Sequence, residues 1–146
     1  MGRLLFLLLV LITTPGLAQT EITWQTLADV QFTDKYSKEV DAYYYYPNFG
    51  SSVLALEGKE VILKGYMLTL GADADVYILS RNPYAACFFC GSGGPESVVE
   101  LKLKPGYPKF RMDQVVTMKG KLILNQDDLY QCNYILQEAE TYYLLD

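Results

Sequence analysis

Histidine is absent from this 146-residue chain. That absence excludes Ser-His and Cys-His catalysis, histidine-ligated zinc and imidazole proton shuttles. The chain also lacks a Ser nucleophile motif and a glycine-rich phosphate loop that opens a helix. We therefore expect a protein that is not an enzyme, unless its cysteines carry redox chemistry.

Positive charge is scarce as well. The chain has 12 Lys and Arg residues against 17 Asp and Glu residues, which gives a formal net charge of −5. Affinity for phosphate backbones comes largely from Lys and Arg, so nucleic acid is an unexpected partner. The sequence leaves the identity of other partners open.

No hydrophobic run is long enough to span a bilayer. The longest, residues 4–12, is about nine residues, whereas a spanning helix needs roughly twenty. It follows Arg3 and precedes the small residues of Gly16-Leu17-Ala18, as in a secretory signal. We predict a signal peptide over residues 1–18 and export to the periplasm or beyond, with no transmembrane segment after cleavage. An uncleaved N-terminal anchor is the alternative.

From residue 59 onward, apolar and polar residues alternate with the period of β-strands. Gly65 and Gly120 fall in the middle of two strands and predict bulges or bends. Two prolines exclude a long helix over residues 104–112. The pattern predicts an all-β fold with five strands, over residues 59–70, 76–80, 97–103, 114–125 and 129–143.

The first part of the mature chain differs from the rest. We predict that residues 19–57 form an aromatic-rich extension that packs on a barrel of residues 58–146, as one domain. Within the extension, Trp24 to Phe32 fit a short strand or helical turn, and a short helix is predicted around Ser52 to Leu56.

Two strands share a pattern that resembles an oligonucleotide/oligosaccharide-binding (OB) barrel. In both Val61-Ile62-Leu63-Lys64-Gly65-Tyr66-Met67 and Val115-Val116-Thr117-Met118-Lys119-Gly120-Lys121-Leu122, a glycine follows alternating apolar residues. The resemblance implies a five-stranded OB-like barrel in which strands three and five pair in parallel.

A second resemblance spans nearly the whole mature chain. The Trp24-x-x-Leu27 motif, the Leu56 to Leu70 segment and a Cys-rich loop before Glu-Ser-Val-Val-Glu resemble secreted bacterial proteins of domain of unknown function family 3299. The chain departs from that family at Thr69, where members have proline. It also has Cys87-Phe88-Phe89-Cys90-Gly91 where members often have Cys-x-His, and the family name implies no activity.

Three interpretations of the Cys87/Cys90 pair remain open. The first is structural: an exported chain meets an oxidising compartment, which favours a disulfide, and otherwise the cysteines are buried free thiols that act as small apolar residues. Thiol-disulfide catalysis needs the first cysteine at a helix N-terminus, and Gly-Ser-Gly-Gly-Pro after Cys90 starts no helix. Metal binding needs further ligands. The predicted parallel strands would bring Cys132 near the loop, and three thiolates suit Zn(II) or Cu(I).

Carboxylates near these cysteines could complete such a site, namely those of Glu96, Asp127 or Asp128. The Asp127/Asp128 pair and the Asp73/Asp75 pair both lie in predicted turns, where Asp is favoured by its backbone hydrogen bonding. We interpret both pairs first as turn residues.

The run Tyr43 to Tyr46 predicts a strand with tyrosines on both faces. These rings are either a stacking platform for bases or sugars, or a cover for the barrel and its open end. Taken together, the sequence predicts an exported, non-enzymatic binding or accessory protein of unknown ligand that can hold a metal through its Cys-rich loop. The alternative is a thiol-disulfide redox protein that uses Cys87 and Cys90.

Overall fold

The computed structural model describes residues 19–71 and 76–143, except the side chain of Cys90. The predicted signal peptide and the Asp73/Asp75 turn lie outside the described residues. The described elements, in chain order, are β1 (Thr20–Glu21), α1 (Trp24–Leu27), β2 (Val30–Ser37), β3 (Ala42–Phe49), α2 (Ser51–Leu54), β4 (Glu60–Leu70), β5 (Val76–Ser80), β6 (Val98–Leu103), β7 (Gln114–Leu124) and β8 (Tyr134–Thr141).

Five strands close into a barrel in the order β4-β5-β6-β8-β7, and an antiparallel ladder between β4 and β7 completes the closure. Strands β6 and β8, the third and fifth of the barrel, are parallel. The prediction of an all-β fold with these five strands is confirmed, whereas the name OB-like stays a prediction. Strand β1 adds to β4 in parallel.

The main core fills the barrel with one set of alternating residues. Leu63, Met67, Leu79 and Val99 point inward together with residues of β7 and β8, and Leu27 of α1 joins them. Each fully buried aliphatic side chain contributes about 1.5–3 kcal/mol by leaving water. Period-two alternation in the sequence therefore corresponds to an inner and an outer face of the barrel wall.

A second, smaller apolar cluster lies on the outer face of the same wall. It consists of Leu68, Ile78 and Val98, which alternate with the core residues, and of Cys87 from the loop over residues 81–97, here called the Cys loop. The loop therefore covers the outside of β5 and β6. Short 3₁₀ turns at Tyr84–Ala86, Phe88–Cys90 and Pro95–Ser97 give it its path.

Gly65 serves close packing; of the bulge or bend predicted there, the bulge is wrong and the bend stays a prediction. The β4–β7 ladder runs through Gly65 opposite Val116 without a shift in register. A Cβ at Gly65 would lie 2.6 Å from the Ser80 carbonyl oxygen and 2.9 Å from the Trp24 ring. The Trp24 indole Nε1 donates to the Lys64 carbonyl oxygen at 2.8 Å, so the ring lies directly over the glycine.

Irregular pairing does occur at Gly120. The β7–β8 register shifts between Lys119 and Lys121, because Lys119 pairs with Glu140 whereas Lys121 pairs with Gln137. Two residues of β8, Glu138 and Ala139, thus stand against the single residue Gly120 of β7, and Glu138 adopts a positive φ of 51° there. The bulge predicted at this glycine is confirmed, although the extra residue belongs to β8.

Strands β2 and β3 form a separate two-stranded antiparallel sheet, the tyrosine hairpin. Its contacts to the rest of the chain include Gln126 Nε2, which donates to the Pro47 carbonyl oxygen at 2.9 Å, and Lys35 Nζ, which lies 3.6 Å from Asp127 Oδ1. The sequence did not predict this hairpin as an element. The domain division at residues 57 and 58 stays a prediction.

The last strand begins later than predicted, at Tyr134 instead of Leu129. The preceding residues fold around the Asn125 side chain. Its Nδ2 donates to the Asp128 carbonyl oxygen at 2.7 Å and to the Cys132 carbonyl oxygen at 3.2 Å. These bonds hold residues 125–133 as a compact turn, here called the Asn125 loop, instead of an extended strand.

Within the two described ranges, no helix is both long and apolar enough to cross a membrane.

We expect Gly65→Ala to lower the free energy of unfolding by about 1–3 kcal/mol, because the new methyl group meets a backbone oxygen that cannot move aside. Trp24 is the only tryptophan of the chain, so urea unfolding can be followed by its fluorescence. The exposed neighbour Lys64→Ala serves as the control and should change stability by less than about 0.5 kcal/mol. Equal stabilities of the Gly65→Ala and wild-type proteins would contradict the close-packing role.

We expect Tyr134→Phe to destabilise the protein by about 1–3 kcal/mol, because it leaves a buried carbonyl without its donor. The Tyr134 hydroxyl donates to the Leu27 carbonyl oxygen at 2.7 Å and ties α1 to β8. Tyr143→Phe is the matched control, since Tyr143 is 74% exposed. Thermal unfolding of both variants measures the difference, and equal midpoints would show that the bond contributes nothing.

Candidate functional site

A cavity of about 410 Å³ opens on the outer face of the barrel wall. Its floor consists of side chains that point outward from the second half of β4 and from β5 and β6, namely Leu70, Val76, Ile78, Val98 and Glu100. Register explains this grouping, because Leu70 pairs with Val76 and Ile78 pairs with Glu100. We call this space the outer cavity.

Three segments that are distant in sequence form its walls. The tyrosine hairpin contributes Tyr44 and Tyr45, the Cys loop contributes Phe88, Phe89 and Pro95, and the Asn125 loop contributes Gln126 and residues 128–133. The outer cavity is therefore mostly apolar and aromatic, with polar groups at the side of the Asn125 loop. Cavities of this size and composition are typical of small-molecule sites.

The Cys loop is held at both ends. The Tyr84 backbone N–H donates to Asp113 Oδ1 at 2.7 Å, and the Arg81 backbone N–H donates to the Ser97 carbonyl oxygen at 2.9 Å. Between these points the loop turns at Gly91, whose φ is +81°. These bonds place Phe88 and Phe89 at the cavity wall.

Glu100 is a nearly buried carboxylate in the cavity floor. Its Oε2 accepts from the Cys132 backbone N–H at 3.1 Å, and its Oε1 accepts from Lys102 Nζ. Both oxygens therefore have partners, and the Lys102 charge compensates that of Glu100. This arrangement makes Glu100 a structural anchor for the Asn125 loop.

Asp128 is the second carboxylate that lines the outer cavity. Its Oδ1 accepts from the Tyr130 backbone N–H at 2.9 Å, and its Oδ2 accepts from Gln131 Nε2. These bonds hold the pKa of the Asp128 carboxyl below its usual range, with the Gln131 bond as the largest cause. Asp128 is therefore ionised at neutral pH, and both of its hydrogen-bond donors are uncharged.

Cys132 lies between Glu100 and the apolar cluster that contains Cys87. Burial and the negative charge of Glu100 raise the pKa of the Cys132 thiol to about 12. At neutral pH this cysteine is a protonated thiol, which is a poor nucleophile and a poor metal ligand.

The structure brings Cys132 and Cys87 to the same apolar cluster, as the parallel pairing predicted. Cys132 is a free thiol, and Cys87 is fully buried. The side chain of Cys90 lies outside the description, so the Cys87–Cys90 disulfide and the three-cysteine metal site stay predictions. Among the side chains that are described, no group of three or more His, Cys, Asp or Glu residues could hold a metal ion.

The three carboxylates that were predicted to complete a metal site with the cysteines lie in different parts of the structure. Glu96 belongs to the Pro95–Ser97 turn, which packs beside α1, and Asp127 pairs with Lys35 of the hairpin. Only Asp128 lines the outer cavity with Cys132. The three candidates therefore do not surround one point.

The four tyrosines divide between the hairpin faces as the strand period predicted. Tyr43 and Tyr45 are exposed, and Tyr43 stacks edge to face on Tyr36 with ring centroids 5.3 Å apart. Tyr44 and Tyr46 are half-buried. A covering role is therefore wrong for Tyr43 and Tyr45, and Tyr44 and Tyr45 line the outer cavity instead.

Sequence reasoning missed two groups that shape the outer cavity. Glu100 carried a usable signal, because an acidic residue stands within the apolar run of strand residues 98–101. Tyr130 carried none, since it lies beside two turn aspartates in a segment that was predicted as strand.

A solved structure has a similar fold. It is the crystal structure of a DUF3299 family protein from Pseudomonas aeruginosa PAO1, with a TM-score of 0.53 and 18% sequence identity over 88% of this chain and 99% of that chain. The two chains share a fold. The resemblance to domain of unknown function family 3299 is thus confirmed at the level of fold. No family model matches the chain, and no curated protein matches it.

We expect native Cys132 to react with iodoacetamide at pH 8 at least about 100-fold more slowly than an ordinary cysteine, whose pKa is about 8.5. The reason is the small thiolate fraction of a thiol with a pKa of about 12. Trypsin cuts after Arg81, Lys102 and Lys121, so the Cys132 peptide separates from the peptide with Cys87 and Cys90. Peptide mass spectrometry therefore measures each site in the unaltered protein.

The same protein unfolded in urea is the control, because its thiols regain ordinary pKa values. Rapid native labelling of Cys132 would contradict the raised pKa. The peptide with Cys87 and Cys90 reports separately on a disulfide, which would leave it unlabelled and two hydrogens lighter even after unfolding.

Proposed function

We propose that the chain is an exported, non-enzymatic binding protein whose ligand occupies the outer cavity. The observation that carries the proposal is the combination of volume and lining: about 410 Å³, an apolar floor and aromatic walls from three separate segments. Export rests on the signal-like pattern of residues 1–18. The core of the barrel is filled, whereas this apolar surface stays open to water. Exposed apolar surface is unfavourable in water, and patches of this kind commonly mark binding sites.

The groups around the outer cavity favour binding over catalysis. A general acid or base works best with a pKa near neutrality, whereas the pKa of Asp128 is lowered and that of Cys132 is raised to about 12. Glu100 is held by two donors. Neither Asp128 nor Cys132 is therefore poised to exchange a proton or attack a substrate at neutral pH, and both oxygens of Glu100 are occupied by hydrogen bonds.

The same observations disfavour the thiol-disulfide alternative. Redox cysteines are accessible and have a lowered pKa. Cys87, which belongs to the Cys loop, is fully buried against the outer face of the barrel wall, and the Cys132 thiol has a raised pKa. Zinc or copper bound through the cysteines would require the Cys90 thiolate together with a change in the protonation of Cys132.

The binding proposal is tested with N-phenyl-1-naphthylamine, a neutral apolar dye that becomes fluorescent when it leaves water. We expect saturable binding to the wild-type protein. Val76→Arg places a long charged side chain at the cavity floor and should reduce dye affinity at least about tenfold, because a charge there disfavours apolar contact.

Val115→Arg is the matched control. Val115 is 53% exposed and Val76 is 44% exposed, but Val115 lies on β7, away from the outer cavity. It should bind the dye as the wild type does, and thermal unfolding should show that both variants are folded. Absence of saturable dye binding, or equal loss in both variants, would refute the cavity as the binding site.

A further inference from the structure

We infer that the ligand of the outer cavity is an organic cation, with one positively charged ammonium group among apolar substituents. The inference rests on the proposed function, since it names the class of ligand for the same cavity. Two independent features carry it: the number of aromatic rings that line the cavity, and the sign of the charges there.

Five aromatic side chains line the outer cavity, namely Tyr44, Tyr45, Phe88, Phe89 and Tyr130. The face of each ring carries partial negative charge and attracts a cation within about 6 Å of the ring centre. Phe88 and Phe89 meet edge to face, with centroids 5.5 Å apart and planes at 65°. Rings at a steep angle to one another border a rounded group, such as a substituted ammonium, better than a flat one.

The chain itself places a cation on a ring of this hairpin. Lys35 Nζ lies 4.1 Å from the centroid of the Tyr46 ring and pairs with Asp127. Lys35, the Tyr46 ring and the Asp127 carboxylate thus form a cation–ring–carboxylate arrangement. We propose that the ammonium group of the ligand takes the place of lysine in a similar arrangement in the outer cavity. Tyr45 and Asp128 are the next residues along the same two segments, and both line the outer cavity.

The charged side chains that line the outer cavity are both acidic, Glu100 and Asp128. Lys102 compensates Glu100 directly. The hydrogen-bond donors to Asp128 are the Tyr130 backbone and the Gln131 amide, which carry no charge. The charge of Lys102 also acts on Asp128, but one lysine stands against two carboxylates. A net negative charge of one therefore remains at the cavity, and a ligand with a single positive charge matches it.

Other ligand classes fit less well. An anion would be repelled by the Asp128 charge, and a neutral apolar ligand would gain nothing from that carboxylate. A bare metal ion would need more ligands, and the described side chains contain no cluster of three acidic or cysteine ligands. An organic cation interacts favourably with both the rings and the carboxylate.

The test compares two solutes of nearly the same shape, phenyltrimethylammonium and tert-butylbenzene, which differ in one positive charge. Each displaces N-phenyl-1-naphthylamine from the wild-type protein at low ionic strength. We expect the cation to bind about tenfold more tightly than the neutral compound. Added salt should lower the affinity of the cation but not that of the neutral compound, because salt screens the attraction between the cation and Asp128.

Asp128→Asn should reduce cation affinity about three- to tenfold and leave tert-butylbenzene unchanged, since the amide oxygen can still accept from Tyr130. Asp127→Asn is the matched control, because the Asp127 carboxylate faces Lys35. Asp127→Asn should leave the affinity for both solutes unchanged.

The aromatic contribution is tested separately. Tyr130→Leu should lower the affinity for the cation about two- to fivefold, because leucine keeps an apolar contact but lacks the aromatic ring. Tyr143→Leu is its control, because Tyr130 is 79% exposed and Tyr143 is 74% exposed.

Equal affinity of the two solutes, with dye binding intact and still blocked by Val76→Arg, would overturn the cation inference and leave the proposed binding role standing. Tighter binding of benzenesulfonate than of phenyltrimethylammonium would likewise overturn it. If neither the dye nor any solute binds, the proposed function itself fails.

Discussion

Strand β4 forms ladders with three neighbours, and closure of the barrel depends on how its 11 residues are divided among them. Residues 60–67 pair with β7 along one edge of the strand. Along the opposite edge, residues 61 and 62 pair with β1 and residues 66–70 pair with β5. Gly65 stands where the strand changes partners. Because it lacks a Cβ, the Trp24 ring and the Ser80 carbonyl oxygen can approach the strand, and α1 can pack on the barrel.

The outer cavity follows from the same wall. A strand whose inner residues fill a core presents its other residues outward, and here those residues are largely apolar instead of polar. The Cys loop buries part of that outer face, and Cys87 is among the residues that complete the cluster. The hairpin and the Asn125 loop approach without filling the rest. A partly covered apolar face, bordered by aromatic rings and a net negative charge, is what makes this surface a candidate binding site.

The five barrel strands could be predicted because alternation is a local property that each strand carries in its own residues. The hairpin was harder to predict, since its tyrosines occupy both faces and Pro47 interrupts the strand pattern. The late start of β8 depends on the Asn125 side chain, which bonds to carbonyls up to seven residues away. The sequence marked Gly65 as a break in the strand pattern. Whether such a glycine permits a bulge or a close approach depends on the residues that pack against it, here Trp24 and Ser80.

By itself, the sequence determined the all-β class, the five barrel strands, the lack of histidine chemistry and the resemblance to domain of unknown function family 3299. Only the tertiary structure decided that Tyr44, Phe88 and Tyr130 line one cavity, and that the Cys132 thiol has a pKa raised so far that it stays protonated. The physical reason is the range of the interactions. Strand patterns arise between neighbouring residues, whereas a cavity and a shifted pKa arise from side chains that only the folded chain brings together.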